Sequence, residues 1–177
     1  MAEGVPTGPI PAGQDPDEYD RRRRRVLWSL PTGLYVLGSR HGDRRNLMTL
    51  NWATQVATEP KLVAVSVEKE AVTHGLVDAG RVFSLNVLAR SDRAVVRKFV
   101  KPLDDGGDPA ELAGFAVHQA VTGAPILQQA VAWLDCRVQQ AVDCGSHTLF
   151  VGEVVDCAET GAEELLRMED TRMNYGG

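Results

Sequence analysis

The chain has 177 residues, 44% of them hydrophobic and 24% charged, with a formal net charge of -5. That length suits one domain with a substantial core, and the acidic balance excludes general attraction to nucleic acid or to an anionic membrane. No apolar run approaches the roughly 20 residues that span a bilayer, no apolar signal core opens the chain, and Cys136, Cys144 and Cys157 lack disulfide or metal spacing, so a cytoplasmic protein with reduced thiols is expected.

Residues 1–17 are rich in Pro, Gly and Ala and carry almost no large apolar groups. They cannot bury enough surface to offset chain entropy, which predicts a flexible arm ahead of one domain over 18–177. Five arginines follow, Arg21 to Arg25, and then Val26, Leu27, Trp28 and Leu30. A nucleic-acid arm is one reading of such a run. A short helix is preferred, with its basic face solvated, Val26, Leu27 and Leu30 packed inward, and Pro31-Thr32-Gly33 as its stop. No interleaved aromatics support single-strand binding.

From Leu34 the pattern becomes β. Leu34 to Ser39 reads as a strand, Arg40 to Arg45 as a hairpin loop, and Leu47 to Gln55 as the returning strand. Leu62 to Val67 is almost continuously apolar, as in a strand covered on both faces. Thr73 to Ala79 reads as a short helix with Thr73 as N-cap and Gly80 as its end. Val82 to Leu88 is another strand, with Phe83, Leu85 and Val87 on one face and Ser84 and Asn86 on the other. Ser91 is expected to cap a second helix running through Val100, with Val95, Val96 and Phe99 inward. Lys101 to Gly114 is a long polar loop, of the kind used as a lid or partner contact. Strands at Phe115 to Val121, Ala132 to Val142 and Leu149 to Cys157 follow, with a last helical turn at Glu163 to Met168. About seven strands and two or three short helices predict a mainly β chain, closed or partly closed into a barrel.

Two segments carry candidate chemistry. Asn46 to Pro60, NLMTLNWATQVATEP, sets Thr49, Asn51 and Thr54 beside Met48 and Trp52. Such a mixture suits a flat, hydrogen-bonding aromatic ligand, although an ordinary half-buried strand would also read this way. Ser66 to Thr73, SVEKEAVT, runs from a strand end into a helix start. Free amides and the helix dipole make that junction a phosphate site, with hydroxyls from Ser66 and Thr73 and a charge from Lys69. Glu68 and Glu70 oppose an anion there, and an ordinary capped helix is the alternative. Metal binding is rejected, because Cys144 and His147 form one pair while His41, His74 and His118 are scattered. The chain lacks a GxSxG elbow, a GxxxxGK[ST] loop and a GxGxxG fingerprint, so a nicotinamide nucleotide would bind without a Rossmann module.

The order of LPTGLYVLGS (30–39), NLMTLNWATQ, SVEKEAVTHGL, FSLNVL (83–88), CGSHTLFVGEV (144–154) and MEDTRMNYGG (168–177) resembles the flavin reductase-like family over about Trp28 to Gly177. The resemblance implies a Greek-key, FMN-binding split β-barrel and a homodimer with flavin sites near the subunit interface. It implies a cofactor site drawn from Asn46, Met48, Thr49, Asn51, Trp52, Ala53, Ser66, Val67, Lys69, Thr73 and Tyr175. Met48, Thr49, Trp52 and Ala53 would line the flavin ring with Asn51 nearby, and Ser66, Val67, Lys69 and Thr73 would hold the ribityl phosphate. Asn86 is read as a structural hydrogen-bonding residue.

His147 matches a family histidine near the face where nicotinamide docks, with Ser146 standing where the family has an acidic residue. Tyr175 matches a tyrosine that approaches the active site. The implied function is an NAD(P)H:flavin oxidoreductase using FMN, or FAD, with NADH or NADPH as donor and a partner monooxygenase as one destination for reduced flavin. A flavin carrier or store without reductase activity is the alternative from a second class, and a basic-arm interaction protein is a third.

Overall fold

Seven antiparallel strands wrap into one curved sheet because of where two consecutive strands end up. In this computed structural model, residues 8–101, 103, 107–161, 164–173 and 175–176 are described. The strands of the large sheet are β1 (Tyr35–His41), β2 (Arg44–Leu50), β3 (Ala53–Thr58), β4 (Lys61–Glu68) and β5 (Val82–Val87), with the later β9 (Ala132–Asp143) and β10 (His147–Glu159). Their spatial order is β2-β1-β5-β9-β10-β4-β3. Flat, such a sheet would hold its edges about 29 Å apart, at about 4.8 Å per strand. Yet β2 and β3, the two edges, are joined by Asn51 and Trp52 alone, and three residue steps reach at most about 11 Å. The sheet therefore curls almost to closure, and the remaining gap is the split of the barrel.

The segment expected as one strand, Leu47 to Gln55, is thus two strands on opposite lips of that split. Asn51 and Trp52 sit at the crossing, where the Ser66 amide donates to the Trp52 carbonyl at 3.0 Å. The first hairpin is tighter than expected: β1 and β2 pair from Tyr35–Leu50 to His41–Arg44, which leaves only Gly42 and Asp43 to turn. The barrel interior holds Leu37, Val65, Val67, Val77, Phe83, Leu85, Cys136 and Phe150. Burial pushes the Cys136 thiol up to about 12, which keeps it an inert core group.

A second cluster, around Leu34, Val36, Leu47, Val96, Phe99, Leu112 and Leu127, lies under a small sheet of β6 (Glu111–Leu112), β7 (Phe115–Gln119) and β8 (Pro125–Leu127). Neither β6 nor β8 was expected. Asn86 joins this layer to the barrel: it is fully buried, donates to Val36 O at 2.9 Å and accepts from Leu127 N at 2.8 Å. Its expected structural role is borne out.

The helices differ from expectation in instructive ways. Helix α1 spans Pro16–Trp28, with the Asp15 side chain accepting from Glu18 N at 2.9 Å, so the last residues assigned to the arm already belong to it. Positions 1–7 of that arm lie outside the described residues. Within the helix, Asp20 pairs with Arg23 and Arg24. Val26, Leu27 and Leu30 do not pack inward; they are 63%, 47% and 63% exposed. They sit where the chain leaves α1 for β1, and Leu27 and Leu30 help form the rim of a cavity.

Helix α2 (Val72–Gly80) has Ala71 as its N-cap, two residues before the expected Thr73, and no side chain caps it. Its left-handed terminal residue is Arg81, while Gly80 is needed because a Cβ there would stand 2.0 Å from Arg40 O. The expected helix from Ser91 to Val100 is instead two 3-10 turns, Arg90–Asp92 and Val95–Phe99. Val96 and Phe99, its fully buried residues, are three apart, which is the repeat of a 3-10 turn. The last helical turn lies at Met168–Asp170, because Leu166 gives its backbone groups to Leu34 and Leu88; Glu163 lies outside the described residues. Among the described residues, no helix is long and apolar enough to cross a membrane.

Candidate functional site

Two cavities meet along the split of the barrel. The first, about 310 Å³, lies between β2, the end of β4, the start of α2, Phe99 to Lys101 and the C-terminal segment. The second, about 980 Å³, lies between the end of α1, Gly33, Tyr35, Trp52 and the same C-terminal segment. Asn51, Met168, Met173 and Tyr175 line both. These volumes are those of sites for small molecules and cofactors.

The first cavity brings together Asn46, Met48, Thr49, Asn51, Ser66, Thr73 and Tyr175 from the expected set. Met48, Thr49 and Ser66 are half-buried on its wall, and the Thr49 hydroxyl donates to Val96 O. Asn46 is buried and fully used: Nδ2 donates to Thr73 Oγ1 at 2.7 Å and Oδ1 accepts from Leu103 N at 3.2 Å. Thr73 is therefore not the helix cap that the sequence predicted. Its hydroxyl, 0% exposed, ties α2 to β2. With Ala71 in the cap position, the Val72 and Thr73 amides have no side-chain acceptor and both residues line the cavity, while the His74 amide donates to Ala71 O at 3.0 Å. An uncapped helix start of this kind attracts an anion.

Four expected residues lie elsewhere. Val67 is fully buried in the barrel interior, so its side chain is core. Ala53 borders a different, largely apolar cavity with Tyr35, Leu85 and Leu134. Lys69 turns away from the start of α2 and pairs with Asp143 at 2.8 Å, which holds the Asp143 carboxyl below its ordinary value. The cation on the wall of the first cavity is Lys101, which sequence reasoning placed in a polar loop and passed over. Met168 and Met173 were also missed, although both lie in the quoted closing motif; no periodicity distinguished them from its other residues. Trp52 belongs to the second cavity.

Trp52 forms an aromatic cluster with His147, at 5.0 Å between ring centroids, and Tyr175, at 5.2 Å; His147 itself lines neither cavity. His147 Nε2 lies 2.9 Å from the Tyr175 hydroxyl, and Nδ1 lies 2.8 Å from Ser146 Oγ. Tyr175 OH in turn donates to Glu68 Oε2 at 3.4 Å. Burial, reinforced by the Glu68 carboxylate, pushes the Tyr175 phenol up to about 12. The tail is secured again one residue on, where Trp28 Nε1 donates to Gly176 O at 2.7 Å. Gly176 has φ +79°, and a Cβ there would fall 2.3 Å from the Trp52 ring, so glycine is what lets the tail lie on the indole.

A profile of the flavin reductase like domain matches residues 27–176. The chain belongs to the flavin reductase-like family. The fold agrees: the NADH:FAD oxidoreductase of Streptomyces globisporus C-1027, solved in complex with NAD and FAD fragments, superposes with a TM-score of 0.75 at 30% identity, over 92% of this chain and 95% of that one. The flavin reductase component of a bacterial two-component tryptophan halogenase superposes with a TM-score of 0.72 at 29% identity, over 83% and 91%. Among curated relatives, the high molecular weight rubredoxin of Moorella thermoacetica is 32% identical over 76% of this chain and 58% of its own length. Diflavin flavoprotein A 1 of Synechocystis is 27% identical over 88% of this chain and 27% of its own. The chain thus spans between about a quarter and three fifths of these two curated relatives, in which the reductase-like domain is part of a larger protein.

Proposed function

We propose that the protein is an NAD(P)H-dependent flavin oxidoreductase, with FMN, or FAD in its place, held along the split of the barrel. The observation that carries this reading is the union of two cavities at Asn51 and Tyr175, one ending at an uncapped helix start and the other at Trp52, whose ring His147 approaches from outside both linings. The residues fit the group: Met48, Thr49 and Asn51 offer apolar and hydrogen-bonding surface to a flat ring, and the first-turn amides of α2 with Lys101 offer an anion site for a phosphate. Glu68 and Glu70 border the same cavity, so the helix start and Lys101 must outweigh them locally. When bound, flavin supplies the redox chemistry, accepting hydride at its ring and passing electrons on.

The chain's own task is placement. Trp52 and the tail on it close one side of the site, while His147 stands where it can orient a nicotinamide. The exposed apolar end of α1 supports a homodimer that covers the second cavity. A relative described as the flavin reductase component of a two-component tryptophan halogenase and another described as a styrene monooxygenase flavin reductase support a partner monooxygenase as the consumer of reduced flavin. A flavin carrier without reductase activity is the second reading, favoured by Ser146 at the position where the family has an acidic residue.

Anaerobic stopped-flow mixing of the flavin-loaded protein with NADH and with NADPH tests the proposal. Reduction by either nucleotide is expected, and His147→Ala should slow it about a hundredfold through loss of positioning while flavin binding persists. An unchanged rate in that variant would make His147 a strand-opening residue. If neither nucleotide reduces the parent while dithionite does, the carrier reading replaces the reductase.

A further inference from the structure

His147 ends one branch of a hydrogen-bonded chain whose polarity can be read from its other end. Glu68, the last residue of β4, is paired across the ladder with His147, the first residue of β10. A carboxylate only accepts hydrogen bonds. Tyr175 OH lies 3.4 Å from it, so the phenol proton points toward Glu68; the opposite orientation would set an oxygen lone pair against the carboxylate charge. With its proton committed, the Tyr175 oxygen can only accept from His147 Nε2, 2.9 Å away. Nε2 must then carry the imidazole proton, and Nδ1 is left to accept from the Ser146 hydroxyl at 2.8 Å. Each bond sets the direction of the next.

We propose that Glu68 and Tyr175 form a positioning relay that holds His147 as the Nε2–H tautomer, with its ring fixed against Trp52. The acidic residue expected beside the histidine, and replaced by Ser146, is supplied from β4 and reaches the ring through Tyr175. Ser146 takes the other nitrogen, so both edges of the imidazole are held and the ring cannot flip without breaking two bonds. Lys69 and Asp143 neutralise each other at 2.8 Å, and Glu70 lies at the first cavity. The use of this relay to orient a nicotinamide rests on the reductase reading; the tautomer does not.

The test therefore has two arms. In the first, the protein with 15N-labelled histidine, with and without FMN, is examined by long-range 1H–15N correlation at about pH 9. That is above the ordinary carboxylate and imidazole ranges and below the value of about 12 to which Tyr175 is pushed. His147 is expected to show the Nε2–H pattern in the parent and in Ser146→Ala. Tyr175→Phe and Glu68→Gln are expected to shift it toward a mixture of tautomers. A parent dominated by Nδ1–H, or no change in either of the two relay variants, overturns the proposal.

In the second arm the limiting rate of flavin reduction is measured. Tyr175→Phe and Glu68→Gln should each lower it, by about tenfold for Tyr175→Phe. Their combination should be no slower than Tyr175→Phe alone, because residues acting as one unit are not additive. Additive losses overturn the relay. Failure of the parent to react with either nucleotide overturns only the reductase reading, and the tautomers then decide the relay by themselves.

Discussion

The two ends of the candidate site are built in opposite ways. At the start of α2, Asn46 and Thr73 are buried, hydrogen-bonded to each other and locked between neighbouring elements of the barrel. At the other end, His147, Tyr175 and Trp52 meet from three distant parts of the chain, and Tyr175 is 43% exposed. That contrast marks which part of such a site can be disturbed at little cost. A buried amide with both ends occupied is a piece of the fold, whereas a half-buried aromatic cluster can change its chemistry without unfolding anything.

Asn46→Ala is the sharpest way to break this contrast. It strands Thr73 Oγ1 and the Leu103 amide and should cost about 2–4 kcal/mol of stability in urea unfolding, while His147→Ala should stay within about 0.5 kcal/mol. Equal losses would show that both ends belong to the fold. A smaller effect separates the two lysines: Lys101→Ala should weaken FMN about fivefold, as expected for a partly solvated charge, and leave riboflavin unchanged in isothermal titration. Lys69→Ala should alter neither, since its ammonium is on Asp143; a selective loss of FMN there would move the phosphate to the β4–α2 turn.

Trp28→Phe removes the donor to Gly176 O and should release the tail by about 0.5–1 kcal/mol, read as a few-fold faster hydrogen exchange at Gly176. The smallest expected change concerns Asp143. Lys69 lowers its folded pKa, so the associated stability is present above the unfolded value and is lost as pH falls through the lowered one. In Lys69→Met, a carbon-detected titration of Asp143 should return toward the ordinary carboxylate value. A carboxyl that stays low would assign the shift to the Gly145 amide instead, which donates to it at 2.8 Å.

The features legible in the residues alone were local. The alternation of Phe83, Leu85 and Val87 against Ser84 and Asn86 is a property of a strand's two-residue period, and the strand is there. The apolar run of β4 and the amphipathic turn of α2 are legible for the same reason: each depends on neighbours within a few residues. Motif order carried the family and hence the barrel. Whether the Thr73 hydroxyl caps its helix or ties it to β2 depends on Asn46, 27 positions away. Whether Lys69 meets a ligand depends on Asp143, 74 positions away, and no local pattern records either distance. Asn51 and Trp52 looked like the middle of one strand, because a break in a strand leaves no mark when both halves remain extended. That those two residues cross the split of the barrel follows from strand pairing over long range. Closing a seven-stranded sheet brings its two edges together, and that places the tail and the α2 start around one opening, with His147 behind Trp52 and Tyr175.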